Sequence, residues 1–242
     1  MLIDTHAHLS DIDFVEPVLA AARAVGVERI VAVGMEVKSN RRTLELARNF
    51  PDMVVPAVGY HPWEIDKNNI DTEISYIASH LRHCVALGEV GLDYKVKTPK
   101  KIQWDVFDRL LSLAVQFAKP VIVHCRFSHQ RSHRMVAAAG IERAVFHWYS
   151  GPLDVLGNLL EDGFFVSATP ALKYSPPHQA AIKQAPLERI LIETDAPVAY
   201  QNQISTPATL VDTLALVSRL KQIPVSDVAG ITTANAQKFF SL

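Results

Sequence analysis

Eight short apolar runs, rich in β-branched residues, recur along the 242-residue chain. They comprise residues 2–4, 29–33, 53–58, 85–88, 121–123, 144–146, 164–167 and 190–192. Each run is nearly continuous in apolar residues, which is typical of strands buried on both faces of a parallel sheet. Because parallel strands need crossover connections, the amphipathic stretches between the runs are predicted to be helices.

Several of these helices have recognisable start signals, among them Pro99 before residues 102–119 and Pro207 before residues 208–221. Asp13 and Glu16 have the spacing of a capping box, which predicts a helix over residues 18–25. Ser39 precedes a second amphipathic stretch, which predicts a helix over residues 41–50. Strand and helix signals therefore alternate from the beginning of the chain.

Eight β/α units of roughly 30 residues each favour an α/β fold, a single (β/α)8 TIM barrel that spans residues 1–242. An open, doubly wound sheet of about six strands is the alternative. No glycine-rich phosphate-binding motif follows the first run, which weakens a nucleotide-binding version of that alternative.

Composition narrows the function classes. The chain has 24 Lys and Arg against 25 Asp and Glu, a formal net charge of −1, which excludes a histone-like or membrane-surface protein. Any nucleic-acid binding must come from a local patch or a metal site. The two cysteines, Cys84 and Cys125, are too few for a disulfide scaffold. With no signal peptide and no apolar run of about 20 residues, we expect a cytoplasmic protein that has no membrane partner.

Candidate metal ligands follow the predicted strands. His6 and His8 lie two residues apart after the first run, so strand alternation turns both side chains to one face. The candidates after later runs are Glu89, His124, His147 and Asp195. In a barrel, the carboxyl ends of the strands meet on one face, where active sites of this fold are built. The alternative is that these residues are unrelated core or helix-capping residues. Because burial of polar groups is costly, that alternative does not explain why they all follow strand ends, and we infer a binuclear metal site.

Imidazole and carboxylate ligands without thiolate suit two divalent metal ions, and Zn²⁺, Mn²⁺, Ni²⁺ or Mg²⁺ all remain open. Such a pair activates a hydroxide and stabilises charge during hydrolysis of a phosphoester. We expect Asp195 to act both as a ligand and as the proton acceptor.

Several segments together resemble the TatD family of metal-dependent hydrolases, the TatD-type deoxyribonucleases of the amidohydrolase-like superfamily. In chain order the matching segments are DTHAHL at 4–9, VGYHP at 58–62, GEVGLDY at 88–94, KPVIVHCR at 119–126, HWYSG at 147–151, ETDAP at 193–197, and NA at 235–236 before FF at 239–240. The segment at 88–94 is the most specific of these. The resemblance implies a barrel of the metal-dependent hydrolase type and DNA hydrolysis of the 3'-5' exonuclease kind.

The resemblance also divides the ligands between two metal ions. It assigns His6, His8 and Asp195 to the first ion, His124 and His147 to the second, and Glu89 to both as the bridging ligand.

Other residues have predicted supporting roles. His61 matches a family active-site histidine, although orienting a ligand or capping is a close alternative. Arg126 follows His124 by two residues and is predicted to bind a phosphate oxygen, with a surface salt bridge as the alternative. Asp93 and Glu193 are expected to orient ligands.

Aromatic residues follow three predicted strand ends. Trp63, Trp148 and Tyr149 are expected either to form a rim on which a nucleobase stacks or to pack in the core. Alternation predicts that Cys125 faces the helix layer as an inert thiol. The lysines of residues 95–101 are interpreted as a solvated helix start rather than a phosphate site.

Paired histidines elsewhere are not expected to bind metal. His80 with His83, and His129 with His133, have helical spacing, but each pair lacks a third ligand.

Two departures from the family pattern concern the substrate. Phe127 stands where family members usually carry an acidic residue, and the loop at 196–203 lacks the family's Arg-Asn-x-Pro element. The preferred function is a metal-dependent phosphoesterase or deoxyribonuclease, with DNA or a small phosphoester as substrate and no obligate protein partner. An amidohydrolase or lactonase with the same metal site is the first alternative, and a non-catalytic binding barrel is the second.

Overall fold

The computed structural model describes residues 1–242 as a ring of eight parallel strands in chain order. The strands are β1 (Leu2–Ala7), β2 (Val27–Val33), β3 (Val54–Val58), β4 (Ala86–Asp93), β5 (Val121–Arg126), β6 (Ala144–Phe146), β7 (Phe165–Ala168) and β8 (Ile190–Ile192). Beyond the end of β8, Ala196 forms a parallel bridge with Ala7 of β1 and closes the ring. The predicted (β/α)8 barrel is therefore confirmed, and the open six-stranded sheet is excluded.

Nine helices surround the strands. They are α1 (Val15–Ala24), α2 (Val37–Asn49), α3 (Ile70–His80), α4 (Lys100–Gln116), α5 (His129–Ala138), α6 (Leu153–Glu161), α7 (Pro176–Gln184), α8 (Leu210–Lys221) and α9 (Val225–Phe240). A short antiparallel hairpin of β9 (Ala199–Tyr200) and β10 (Gln203–Ile204) lies between β8 and α8. None of the helices has the length and hydropathy required to span a bilayer.

The predicted helix starts were wrong in detail. Helix α1 is preceded by Phe14 with no side-chain cap, so Asp13 forms no capping box. In α2 the roles are reversed: the Glu36 carboxylate caps the helix by accepting from the Ser39 N–H at 2.7 Å. The Ser39 hydroxyl in turn accepts from the Glu36 N–H at 3.1 Å. Because Glu36 caps the helix, α2 begins four residues before the predicted start.

The lower half of the barrel interior is apolar. Side chains from all eight strands meet there in a cluster of 12 buried residues. Its members are Ile3, Val31, Val33, Ala57, Ala86, Ile122, Val145, Phe165, Leu191, Ala236, Phe239 and Phe240. The last three belong to α9, so the end of this helix closes the amino-terminal end of the barrel.

An irregularity in β1 changes which side chains point inward. Asp4 and Ala7 lie three residues apart, but their partners on β2 lie only two apart. This extra residue is a β-bulge, which reverses the facing of the residues that follow. Ile3 therefore points into the apolar interior below the bulge, and His6 and His8 point inward above it.

Strand β4 contains the same kind of irregularity. Leu87 and Val90 lie three residues apart against two on β5. Ala86 faces the interior below this bulge, and Glu89 faces it above. Both bulges lie where a strand passes from the apolar half of the barrel to the polar half.

Candidate metal centre

The six predicted ligands come together at the carboxyl end of the barrel. His6, His8, Glu89, His124, His147 and Asp195 are all buried, with at most 9% of any residue exposed. All except His6 line a cavity of about 560 Å³ that opens to solvent. This volume lies in the range of small-molecule sites.

One group of donor atoms surrounds a common point on the β1 side. The Nε2 atoms of His6 and His8 lie 3.2 Å apart, and each is 3.3 Å from Glu89 Oε2. Asp195 Oδ1 lies 3.5 Å and 3.4 Å from the same two nitrogens. A tetrahedral site with bonds of about 2.0–2.1 Å places its donor atoms about 3.3–3.4 Å apart, so these atoms fit a divalent cation.

An unsatisfied atom supports the same fit. Asp195 Oδ1 is buried and accepts no hydrogen bond. A buried polar atom without a partner is costly, and coordination of a cation would remove that cost.

The second group of donor atoms gathers around the other oxygen of Glu89. Its Oε1 lies 2.8 Å from His124 Nδ1 and 2.9 Å from His147 Nε2. His61 Nε2 lies 3.4 Å from the same oxygen. The two oxygens of Glu89 thus face different sets of histidines, as a bridging carboxylate requires. Sequence analysis gave His61 an active-site role but did not include it among the ligands.

Two acidic side chains contact the ring nitrogens of His124 and His147 that do not face Glu89. Asp93 Oδ2 lies 3.2 Å from His124 Nε2, and Glu193 Oε1 lies 3.2 Å from His147 Nδ1. Such carboxylates fix the tautomer and ring orientation of a ligating histidine. The Trp63 indole N–H donates to Asp93 Oδ2 at 2.6 Å, a contact that sequence analysis missed.

Asp195 is positioned by the junction of β8 and β1. The Thr194 N–H and hydroxyl donate to the Asp4 carboxylate at 3.0 Å and 2.5 Å, and the Asp195 N–H donates to the His6 carbonyl at 2.9 Å. Asp195 itself has a φ of 51°, a left-handed conformation that costs about 1–2 kcal/mol outside glycine. The hydrogen bonds of Thr194 and Asp195 stabilise this conformation.

The charges of the site favour a bound cation. Burial opposes ionisation of Glu89, but the neighbouring imidazoles, His147 above all, hold its pKa well below the usual range. Burial also opposes the charge on His8, but the adjacent carboxylates of Asp195 and Glu89 raise its pKa to about 10. For His61 burial prevails and lowers the pKa to about 4. The ionised carboxylates therefore attract positive charge into the site.

The comparisons with known proteins agree with this geometry. The family model described as TatD related DNase matches residues 3–241. The chain belongs to the TatD family. It is 32% identical to the uncharacterized metal-dependent hydrolase YabD of Bacillus subtilis and 28% identical to the 3'-5' ssDNA/RNA exonuclease TatD of Edwardsiella piscicida, with 100% of each chain covered in both cases. The crystal structure of the TatD homologue YJJV from Escherichia coli K12 superposes with a TM-score of 0.91 at 27% identity, covering 100% of this chain and 98% of that one. The protein is a metal-dependent hydrolase of this family.

The arginine of the TatD-like segment at 119–126 lies in the metal cavity. Arg126 is half-buried there and forms no ion pair with a carboxylate, so the alternative of a surface salt bridge is wrong. Cys125, between His124 and Arg126, forms part of the wall of the same cavity and packs against the apolar layer between strands and helices, as alternation predicted.

The predicted aromatic rim is partly correct for this TatD chain. Trp63, 52% exposed, and Trp148 line the cavity. Tyr149 is fully buried and donates its hydroxyl to the Pro152 carbonyl at 2.8 Å, so it belongs to the core. Tyr174, 39% exposed, lines the cavity instead. It follows β7 by several residues, and no spacing in the sequence marks it.

The excluded histidine pairs lie outside the clusters that could hold a metal ion. His133 Nε2 contacts Asp162 at 2.7 Å, and His80 Nδ1 lies 2.8 Å from the Tyr76 carbonyl. In each pair, one histidine therefore contacts a protein oxygen, and neither pair belongs to a cluster of potential metal ligands.

Proposed function

We propose that this TatD-family hydrolase cleaves phosphodiester bonds of DNA and removes nucleotides from the 3' end of a strand. The proposal takes two divalent ions, Zn²⁺, Mn²⁺, Ni²⁺ or Mg²⁺, as cofactors. It is supported by the name of the family and by the exonuclease name of the Edwardsiella relative. On this proposal DNA is the substrate, and no membrane or obligate protein partner takes part.

The observation that carries the proposal is the division of the histidines between the two oxygens of Glu89. His6 and His8 would hold the first ion with Asp195, and His124 and His147 would hold the second. Two metal ions held in this way would lower the pKa of water and stabilise the charge on the attacking and leaving oxygens at phosphorus.

The remaining steps belong to the protein's own side chains. The adjacent imidazoles, His8 first and then His6 and His147, keep the pKa of Asp195 below its usual range despite burial. Asp195 is therefore ionised at neutral pH and can accept a proton from the attacking water. Arg126 has no carboxylate partner, and its guanidinium can bind two oxygens of a phosphate through two parallel hydrogen bonds. An anionic phosphodiester needs this contact more than a neutral lactone or amide does.

The test combines metal analysis with a nuclease assay. We expect about two equivalents of metal in protein purified without added metal. An oligonucleotide labelled at its 5' end should give a ladder of shortening products, and one labelled at its 3' end should release the label at once. Asp195→Asn should abolish both reactions. Asp212→Asn, at a half-exposed position on α8, is the matched control and should retain activity.

Three results would contradict the proposal. They are near-normal turnover by Asp195→Asn, metal content below about a tenth of an equivalent after reconstitution with Zn²⁺ or Mn²⁺, and faster hydrolysis of lactones than of any phosphodiester. The last result would instead support the amidohydrolase or lactonase alternative.

A further inference from the structure

A second groove opens beside the metal cavity. We name it the Phe127 groove, and it has a volume of about 620 Å³. Its lining consists of Tyr94, residues 127–131, residues 150–152 and Pro177. Ser150 lines both the groove and the metal cavity, and Arg126 of the cavity is followed directly by Phe127 of the groove. A chain-like ligand that leaves the metal cavity past Arg126 and Ser150 therefore enters this groove.

Neither burial nor backbone conformation favours a phenylalanine at position 127. Its side chain is 72% exposed, so it gains little from burial. Its φ of 55° is a left-handed conformation, which costs about 1–2 kcal/mol for a residue with a Cβ. An exposed aromatic ring on a strained backbone next to a catalytic cavity points to a role in binding.

The charges along the groove have one sign. No carboxylate lines it. Arg131 lines the groove, and its guanidinium lies 4.3 Å above the ring of Trp104, in a neighbouring pocket that Asp105 and Asp108 also line. The Lys100 ammonium lies 4.2 Å above the ring of Tyr94, which lines the groove. These stacking contacts hold both cations in place. Neither cation is paired with an acidic side chain, so both remain available for phosphate groups.

Exposed aromatic rings and unpaired cations along one groove are the features that bind single-stranded nucleic acid without sequence preference. We propose that the Phe127 groove binds the part of a single strand that adjoins the nucleotide being removed. A base stacks on the Phe127 ring, and Arg131 contacts the phosphate beside it. A base stacked in this way is unpaired, so the groove selects single strands over duplexes and polymers over small phosphoesters. The inference rests on the proposed function and specifies its substrate.

The test measures a specificity ratio. The numerator is kcat/KM for a short oligothymidylate, and the denominator is kcat/KM for the p-nitrophenyl ester of thymidine 5'-monophosphate, which is too small to reach the groove. Since stacking of one base changes affinity by about 5- to 150-fold, we expect Phe127→Ala to lower the ratio by about tenfold or more. Phe127→Trp should restore it, because the larger ring also stacks. Phe14→Ala is the control, since Phe14 is 79% exposed and lines neither cavity.

A second variant tests the electrostatic part. Arg131→Gln should reduce the slope of log affinity against log salt concentration by about one for the oligonucleotide. A purely structural role of Arg131 would leave this slope unchanged.

The outcomes separate the two proposals. If the wild type hydrolyses both substrates and the ratio for Phe127→Ala lies within about twofold of the wild-type ratio, the groove does not bind the strand. The proposed nuclease activity is then unaffected. If the ratio falls in Phe127→Ala and is equally low in Phe127→Trp, base stacking on residue 127 is also contradicted. Wild-type protein that is loaded with metal but inactive on both substrates overturns the proposed function and the groove with it.

Discussion

The two ends of the barrel interior use buried side chains for opposite purposes. At the amino-terminal end the interior is a tight apolar cluster closed by Phe239 and Phe240, and every buried group there contributes to stability. At the carboxyl end the interior contains a cluster of buried ionisable side chains, and one of them, Asp195, has an unsatisfied oxygen. Burial there costs free energy, and a bound cation would offset that cost. Changes at the two ends should therefore separate stability from activity.

The largest expected effect is on activity, at the polar end. Glu89→Gln keeps the size of the side chain but removes its charge and one ligand oxygen. We expect the metal content to fall from about two equivalents to one or fewer. Activity should fall by more than about 100-fold, beyond the loss typical of changes to outer contacts. Mass spectrometry of bound metal and the nuclease assay check this.

The matched control is Glu188→Gln, an exposed change on the amino-terminal side of β8. It should leave both quantities unchanged. Two tightly bound equivalents in Glu89→Gln would show that Glu89 does not bridge the ions.

The next effect is on stability, at the apolar end. Phe239→Ala removes a ring that is 1% exposed and packs against Phe165 with ring centroids 5.3 Å apart. We expect the free energy of unfolding to fall by about 3–5 kcal/mol. Turnover per folded molecule should stay at the wild-type value. Denaturant titration with a parallel activity assay measures both.

Phe14→Ala, at an exposed position, should change the free energy of unfolding by less than about 0.5 kcal/mol. If Phe239→Ala instead lost turnover at normal stability, the two ends would not be independent.

A smaller effect tests the contacts behind the ligands. Asp93→Asn replaces the anion that faces His124 Nε2 with a neutral amide. We expect metal affinity, measured by competition with a chelator, to fall by about 10- to 100-fold. Trp63→Phe keeps an aromatic ring beside His61 and removes the hydrogen bond to Asp93, so it should cause a smaller loss. A larger loss in Trp63→Phe than in Asp93→Asn would mean that Trp63 acts by another route.

The smallest effect concerns a buried carboxylate outside the metal centre. Burial raises the pKa of Glu73 to about 6, although its Oε2 accepts from the Val37 N–H at 2.7 Å. The folded protein therefore binds more protons than the unfolded chain between pH 4.5 and about 6, and stability falls as the pH rises through this window. Glu73→Gln should remove this part of the pH dependence. We expect a change of about 1 kcal/mol or less, because solvent screens the group.

Denaturant titrations at several pH values measure it, with the exposed change Glu142→Gln as control. An unchanged pH profile in Glu73→Gln would assign the slope to other groups.

Much of the fold was predictable because parallel strands buried on both faces leave continuous apolar runs. The observed β6 and β8 coincide with their predicted runs, at residues 144–146 and 190–192. Helix starts were less predictable, because Glu36 rather than Ser39 provides the cap of α2. A capping pair satisfies the same hydrogen bonds in either orientation, and sequence spacing does not distinguish the two.

The candidate site was predictable where a strand stays regular. On β5, alternation from Ile122 in the apolar cluster leads directly to His124. On β1 and β4 the bulges reverse the facing, so counting by twos from Ile3 would turn His6 away from the interior. The bulges depend on pairing with the next strand, which local sequence does not record. The approach of His61 to Glu89 depends on the same long-range geometry.

The closure of the barrel by α9 has a consequence for synthesis on the ribosome. The strands emerge first, but the rings that seal their apolar interior, Phe239 and Phe240, are translated more than two hundred residues after β1 begins. Until they arrive, the nascent barrel has an open, hydrophobic end, which is the kind of surface that chaperones recognise. Stalled nascent chains should therefore resist proteolysis only when residue 240 has left the exit tunnel. Resistance at an earlier stall would show that the strands close without α9.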